Sequence, residues 1–168
     1  MLHHLQIQNY ALVDNLSIDF GEGFTTITGE TGSGKSVLLQ ALGLLVGNRA
    51  DPKALKNPEE KCIVEASFWV KEYDLRIVLD DETEQAFWGD ILKEDFLHIR
   101  RTILPTGKSR AYINDEPIKL EILKQIGAQI LDIHSQNENH LLRSPIFCQQ
   151  MVDLYADNSL ILETYSKA

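Results

Sequence analysis

Only two cysteines occur in the 168 residues, Cys62 and Cys148, too few for a disulfide framework. No stretch of about 18 or more apolar residues is present and no apolar run follows Met1, so neither a membrane-spanning helix nor a secretory leader is expected. Both absences point to a reducing cytoplasm. Basic residues are in the minority, 16 Lys and Arg against 25 Asp and Glu, for a formal charge of -9. The whole chain is therefore not a basic nucleic-acid clamp, although charges more than about 8 Å apart are largely screened and local patches decide local binding. Repeats, low-complexity tracts and Pro/Gly/Ser linkers are missing too, which leaves one domain. What is there, 43% hydrophobic and 24% charged residues, is the balance of an ordinary globular protein.

The charge is uneven. From Lys71 to Asp95 nine acidic residues face three basic ones, whereas from Phe96 to Lys119 five basic residues face two acidic. Period-two alternation in Leu5–Gln8 and Leu16–Phe20, with Asp14-Asn15 between them as a turn signal, predicts a hairpin. Phe24–Thr28 is predicted as a third strand running into a glycine-rich segment. From Lys35 to Val46 the chain has almost no polar face, which predicts a helix buried on nearly all sides and stopped at Gly47. Cys62–Val70, Phe96–Leu104 and Arg110–Ile113 read as strands, the last two joined by a turn over Pro105–Lys108, and Asn114-Asp115 as another turn. A helix over Lys119–Ile126 ending at Gly127, a strand over Gln129–Ile133, and a helix from Pro145 toward Tyr155 with Ser144 as its N-cap complete the expectation.

Gly29-Glu30-Thr31-Gly32-Ser33-Gly34-Lys35-Ser36 satisfies G-x-x-x-x-G-K-[ST] at every fixed position, between a predicted strand and a predicted helix. The chemistry explains the residue types. Gly32 and Gly34 let successive backbone N–H groups converge on a phosphate without a Cβ in the way. Lys35 opens the helix and reaches the β- and γ-phosphates, the helix N-terminus adds its dipole through Val37, and the Ser36 hydroxyl is placed for Mg²⁺. ATP and Mg²⁺ are the implied ligands. The competing reading is a glycine turn that merely caps a helix, with Lys35 solvated.

Three segments narrow the class: Gly29–Asp51, Arg100–Ile118 and Leu131–Leu142, together with the opening Leu2–Val13. In them the sequence resembles the N-terminal lobe of ABC-type ATPases of the SMC class, most closely the RecN-like DNA-repair family. The resemblance implies an α/β P-loop NTPase fold: residues 1–144 form an ATP-binding lobe with an antiparallel β-subdomain, and residues 145–168 a helix leading toward a coiled coil. It also implies that Gln136 is the Q-loop glutamine, a Mg²⁺ and water ligand; a plain polar turn of His134, Ser135 and Gln136 is the alternative. Arg49 matches the family's arginine loop near nucleotide and DNA, or else it caps the preceding helix. Asn9 and Tyr10 fall near the family's adenine pocket. The implied partners are the C-terminal lobe of the same protein, a second head in a head-to-head homodimer, and DNA in the complete protein, in a nucleoid-associated cytoplasmic setting without a membrane.

The basic set Arg100, Arg101, Lys108 and Arg110 is a candidate DNA contact, or else a charged strand edge that prevents aggregation. His3, His4, His134, His140 and Cys148 lack zinc-site spacing, and no Ser/His/Asp nucleophile set is visible. Cys62 and Cys148 read as small core residues. A Walker B aspartate with its glutamate and an LSGG-type loop are absent, Ile77–Asp81 being the nearest and misplaced approach to the former. In the resembling family these parts follow the coiled coil, so the expectation is nucleotide binding with little turnover by this chain alone, and self-association through an exposed strand edge. A stand-alone P-loop kinase with Arg100, Arg101 and Arg110 as its lid, a transporter-type ATPase subunit and a non-enzymatic interaction module are the rival readings.

Overall fold

Period-two burial organises one sheet. In the computed structural model, strands β1 (Leu2–Tyr10), β2 (Val13–Asp19), β3 (Cys62–Trp69), β4 (Phe96–Ile103), β5 (Ser109–Ile113) and β6 (Glu116–Ile118) form a six-stranded sheet in the order β2-β1-β3-β4-β5-β6. Every neighbouring pair is antiparallel. The structure describes residues 1–29, 34–73, 75, 82–133 and 145–156. They belong to two units, Met1–Ile133 and His134–Ala168.

In the first unit one face of the sheet is apolar. Leu5 and Ile7, Cys62, Val64, Ala66 and Phe68, Leu97, Ile99 and Ile103, and Ala111 and Ile113 are all buried on it. Helices α1 (Lys35–Leu45) and α3 (Leu120–Ile130) add Ala41, Leu44 and Leu45, and Ile122, Leu123 and Ile126, to the same core. Burying such side chains stabilises by roughly 1.5–3 kcal/mol each, which makes this face the main source of stability. Helix α2 (Glu82–Ile91) contributes Trp88 from within the acidic stretch.

Turns join the strands where backbone geometry allows. Asn114 and Asp115 both have positive φ (48° and 65°) between paired Ile113 and Glu116, the mirror-image turn that suits a two-residue hairpin, as expected. The first hairpin departs from expectation. Its turn is Ala11-Leu12, between paired Tyr10 and Val13, while Asp14 and Asn15 lie within β2. Tertiary contacts override turn composition: Ala11, at φ 52°, donates from its N–H to the Ala54 carbonyl at 2.6 Å, and Tyr10 bridges to Leu55.

Three further expectations are corrected. Phe24–Thr28 is not a strand. It has no ladder partner among the described residues, and Phe24 is 94% exposed. Helix α1 is not buried all round; Ser36, Leu39 and Gln40 are exposed, because only one of its faces meets the sheet. Helix α3 does not stop at Gly127 but runs to Ile130 and replaces the strand expected from Gln129. Gly127 serves packing instead, since a Cβ there would lie 2.7 Å from the Val46 Cα. Gly47 is the helix stop expected. At φ 89° it donates to the Leu44 carbonyl while Asn48 donates to that of Gly43, closing the carboxyl end of α1 with the paired bonds of a Schellman motif.

In the second unit helix α4 (Pro145–Tyr155) begins on its proline as expected. Ser144 lies outside the described residues. Cys148, Met151, Val152 and Tyr155 share one side at i, i+3, i+4 and i+7, and all four are exposed. Cys148 is thus not a core residue, whereas Cys62 is fully buried and its thiol is pushed up to about 11 by that burial.

Candidate nucleotide-binding site

The described flanks of the phosphate loop, Gly29 on one side and Gly34–Val37 on the other, show how the site is built. Gly34 is the N-cap of α1 in the left-handed conformation, φ 95° and ψ 0°, with no side chain capping the helix. Its carbonyl accepts from the N–H groups of Val37 and Leu38, the first bonds of the helix. A residue with a Cβ is strained at that φ, so glycine is needed here for backbone reasons. No acidic residue occupies the first turn, and the positive end of the helix dipole is left to an external anion.

Lys35 reaches back across the loop. Its Nζ donates a hydrogen bond to the Gly29 carbonyl, tying together the two ends of the segment Glu30–Ser33. The ammonium is therefore held at Gly29. The Ser36 hydroxyl is exposed and makes no hydrogen bond among the described residues. Val37 is half-buried behind it. Glu30, Thr31, Gly32 and Ser33 lie outside the described residues, and so do Gln136, His134, Ser135, His140 and Ile77–Asp81. The donors that are described fit a triphosphate with its cation: a left-handed glycine, an uncapped helix end, a lysine across the loop and a free hydroxyl.

Arg49 lies beyond the helix stop, exposed and without an ion pair among the described residues. The carboxyl end of α1 is closed by backbone bonds of Gly47 and Asn48, so that closure does not depend on Arg49 as a cap. Asn9 and Tyr10 are the last two residues of β1. Both point inward, at 7% and 6% exposure. The Asn9 amide is spent on the chain: Nδ2 donates to the carbonyls of Asn57 and Glu60, at 2.9 and 3.0 Å, and Oδ1 accepts from the Asn57 N–H at 2.6 Å. Burial, then Cys62 and Asp51, raise the Tyr10 hydroxyl above its ordinary pKa. Asn9 thus ties the 57–60 segment to the end of β1.

The basic hairpin divides. Arg100 pairs with Asp115 at 2.8 Å and lies over the Tyr112 ring, 4.8 Å from its centroid. Arg101 is only 2% exposed on the core face, which removes it from any nucleic-acid surface. Lys108 and Arg110 alone of the four are exposed. Alternation along β4 carried this signal: Leu97, Ile99, Arg101 and Ile103 share one parity, and the first two and the last are apolar. His4 pairs with Asp19 at 2.6 Å, and no metal-holding cluster of three His, Cys, Asp or Glu occurs among the described residues.

Comparison with known proteins decides the class, because a family model described as an AAA domain matches residues 4–167. The chain belongs to that family. It is also 36% identical over 166 residues to the DNA repair protein RecN of Vibrio cholerae, a match that takes in 97% of this chain and 28% of that protein. RecN of Bacillus subtilis is 34% identical over 169 residues, with 99% and 28% covered. The chain thus spans less than a third of the length of these relatives and corresponds to their N-terminal part. Among solved structures, a chain from work on ATP-driven dimerization and DNA-stimulated activation of SMC ATPases superimposes with a TM-score of 0.62 at 20% identity, covering 90% of this chain and 97% of that one. An Smc head bound to the C-terminal winged-helix domain of ScpA gives 0.59 at 19% identity, with 77% and 41% covered. The fold is that of an SMC head N-terminal lobe with its antiparallel sheet, as the resemblance implied, and the matching family model makes it a P-loop domain.

Proposed function

We propose that the chain is the ATP- and Mg²⁺-binding lobe of an SMC-like ATPase that acts in DNA double-strand break repair and recombination. The observation that carries the reading is the Lys35 ammonium bonded to the Gly29 carbonyl across a loop that ends in left-handed Gly34 at an uncapped helix. In this reading Lys35 and the first-turn N–H groups receive the β- and γ-phosphates, and the Ser36 hydroxyl, joined by the amide of Gln136, holds Mg²⁺. Arg49 extends toward the same nucleotide or the DNA. Bound Mg²⁺ supplies charge neutralisation at the phosphates; the chain's own groups supply position.

Turnover in this reading needs the C-terminal lobe of the same protein and a second head, and the open surface beside the phosphate loop supports it. Phe24, Ile27 and Leu39, exposed at 94%, 47% and 43%, offer that lobe an apolar seat next to the site. The stripe on α4 suits the start of a coiled coil. Lys108 and Arg110 are the residues left for DNA. The kinase alternative is weakened, since Arg101 is buried and Arg100 already paired, so neither is free to serve a lid.

The test is titration of a labelled ATP analogue with Mg²⁺ against the chain and its Lys35→Ala variant. Loss of a lysine that pairs with phosphate is expected to weaken binding by about 10- to 100-fold, and equal affinity of the two proteins overturns the reading. In the complete protein, Lys108→Glu with Arg110→Glu is expected to reduce DNA affinity at low salt. Unchanged affinity removes the hairpin from the DNA surface.

A further inference from the structure

Arg101 is an anomaly that nucleotide binding does not explain. It is on the core face of β4, paired with Val64 of β3 and Ala111 of β5, and 2% exposed. Buried cations are normally matched by a carboxylate. Arg101 has none among the described residues. It makes one hydrogen bond, from Nη2 to the Ser109 Oγ at 3.1 Å, and its buried Nε has no acceptor. Desolvation accordingly lowers its pKa.

The geometry of that defect is specific. Nε and Nη2 occupy one edge of the planar guanidinium, the edge that accepts a carboxylate or phosphate through two parallel bonds. Nη2 donates to a hydroxyl and Nε has no acceptor. The hydroxyl belongs to Ser109, which is exposed at the outer end of β5, paired with Ile103 but beyond the reach of β6, whose ladder begins at Ala111. Lys108 and Arg110 flank it along the chain, both exposed and without ion pairs among the described residues. An exposed serine thus sits with its hydroxyl against a buried cation whose Nε lacks an acceptor.

We propose that Ser109 is a phosphorylation site and that Arg101 is the receptor of its phosphate. A protein serine kinase would use a nucleoside triphosphate as donor. The bond from Ser109 Oγ to the γ-phosphorus forms as the bond from that phosphorus to the bridging oxygen breaks. The hydroxyl proton passes to the kinase's base and the nucleoside diphosphate leaves. The product places phosphate oxygens within reach of both Nε and Nη2, turning a half-satisfied buried cation into a paired one. The modification would then tighten the β4–β5 hairpin, whereas phosphate on an ordinary exposed serine only adds charge.

The experiment has two arms. In the first, the 168-residue chain is made with phosphoserine encoded at position 109. Its second phosphate ionisation, followed by ³¹P NMR, is expected to fall at least about one pH unit below the value near 6 of a phosphopeptide of residues 105–115. Its melting temperature is expected to rise, and Arg101→Lys to reduce both effects. An ionisation equal to that of the peptide overturns Arg101 as receptor; this reading needs no Arg101 variant and so survives if the variant fails to fold. In the second arm the protein is isolated from its own cells, in growth and after DNA damage. The peptide containing Ser109 is weighed after cleavage by a protease that spares Lys and Arg. One added phosphoryl group supports the site. Its absence under both conditions overturns the proposal that Ser109 is used.

Discussion

The sheet and the phosphate-loop flank of the first unit obey the same rules and end in opposite states. On the sheet every apolar side chain of one parity meets a neighbour, and residues such as Ile99 and Ile113 have no exposure left. Beside the phosphate loop the side chains are just as apolar, yet Phe24, Ile27 and Leu39 stand in solvent. A strand paired on both sides satisfies its own backbone. A strand-like run without a neighbour does not, and it gains nothing from its hydrophobicity. The stability of the lobe therefore resides in the sheet and its two helices, and its chemistry at the border of that stable part.

That contrast makes graded predictions. Ile99→Ala, in the centre of the buried face, is expected to cost about 4 kcal/mol in urea denaturation, the range of a large-to-small change with a residual cavity. A loss below about 1 kcal/mol would mean that the sheet face is not the core. Gly127→Ala comes next. Alanine is the better helix former by about 1 kcal/mol, but a Cβ 2.7 Å from the Val46 Cα forces α1 and α3 apart, so a net loss of about 2 kcal/mol is expected. Stabilisation by this substitution would refute the close helix approach.

A smaller effect concerns the thiols. Cys62, with a pKa pushed up to about 11 from the usual 9.0, resists alkylation at pH 8, while exposed Cys148 reacts. Folding favours the neutral Cys62 thiol, so its contribution to stability is complete below pH 9 and declines as pH rises from there toward 11. Labelling of Cys62 as fast as Cys148 in the folded chain would contradict its burial. Smallest of all, Leu39→Ser is expected to change stability by less than about 0.5 kcal/mol while reducing self-association measured by light scattering. A loss comparable to that of Ile99→Ala would show that the loop flank is as closed as the sheet.

The residues that were legible in advance are those whose signal is local. The G-x-x-x-x-G-K-S run predicted left-handed Gly34 and the helix that begins at Lys35, because a phosphate nest is made of consecutive backbone groups. Gly47 as a stop and Asn114-Asp115 as a turn were legible for the same reason. Asn9 was not, because its use depends on carbonyls 48 and 51 positions away. Arg101 looked like one cation in a basic patch, although the parity of β4 already placed it with Leu97, Ile99 and Ile103.

The amino-acid order alone determined the phosphate loop, the parity of the strands and the class of protein, since each depends on spacing along a few residues. Tertiary structure decided that Phe24–Thr28 has no ladder partner among the described residues, that Gly127 continues a helix instead of ending it, and that of four basic hairpin residues two remain exposed. Those outcomes depend on which backbone lies alongside, and a neighbour distant in the chain leaves no mark in the local pattern.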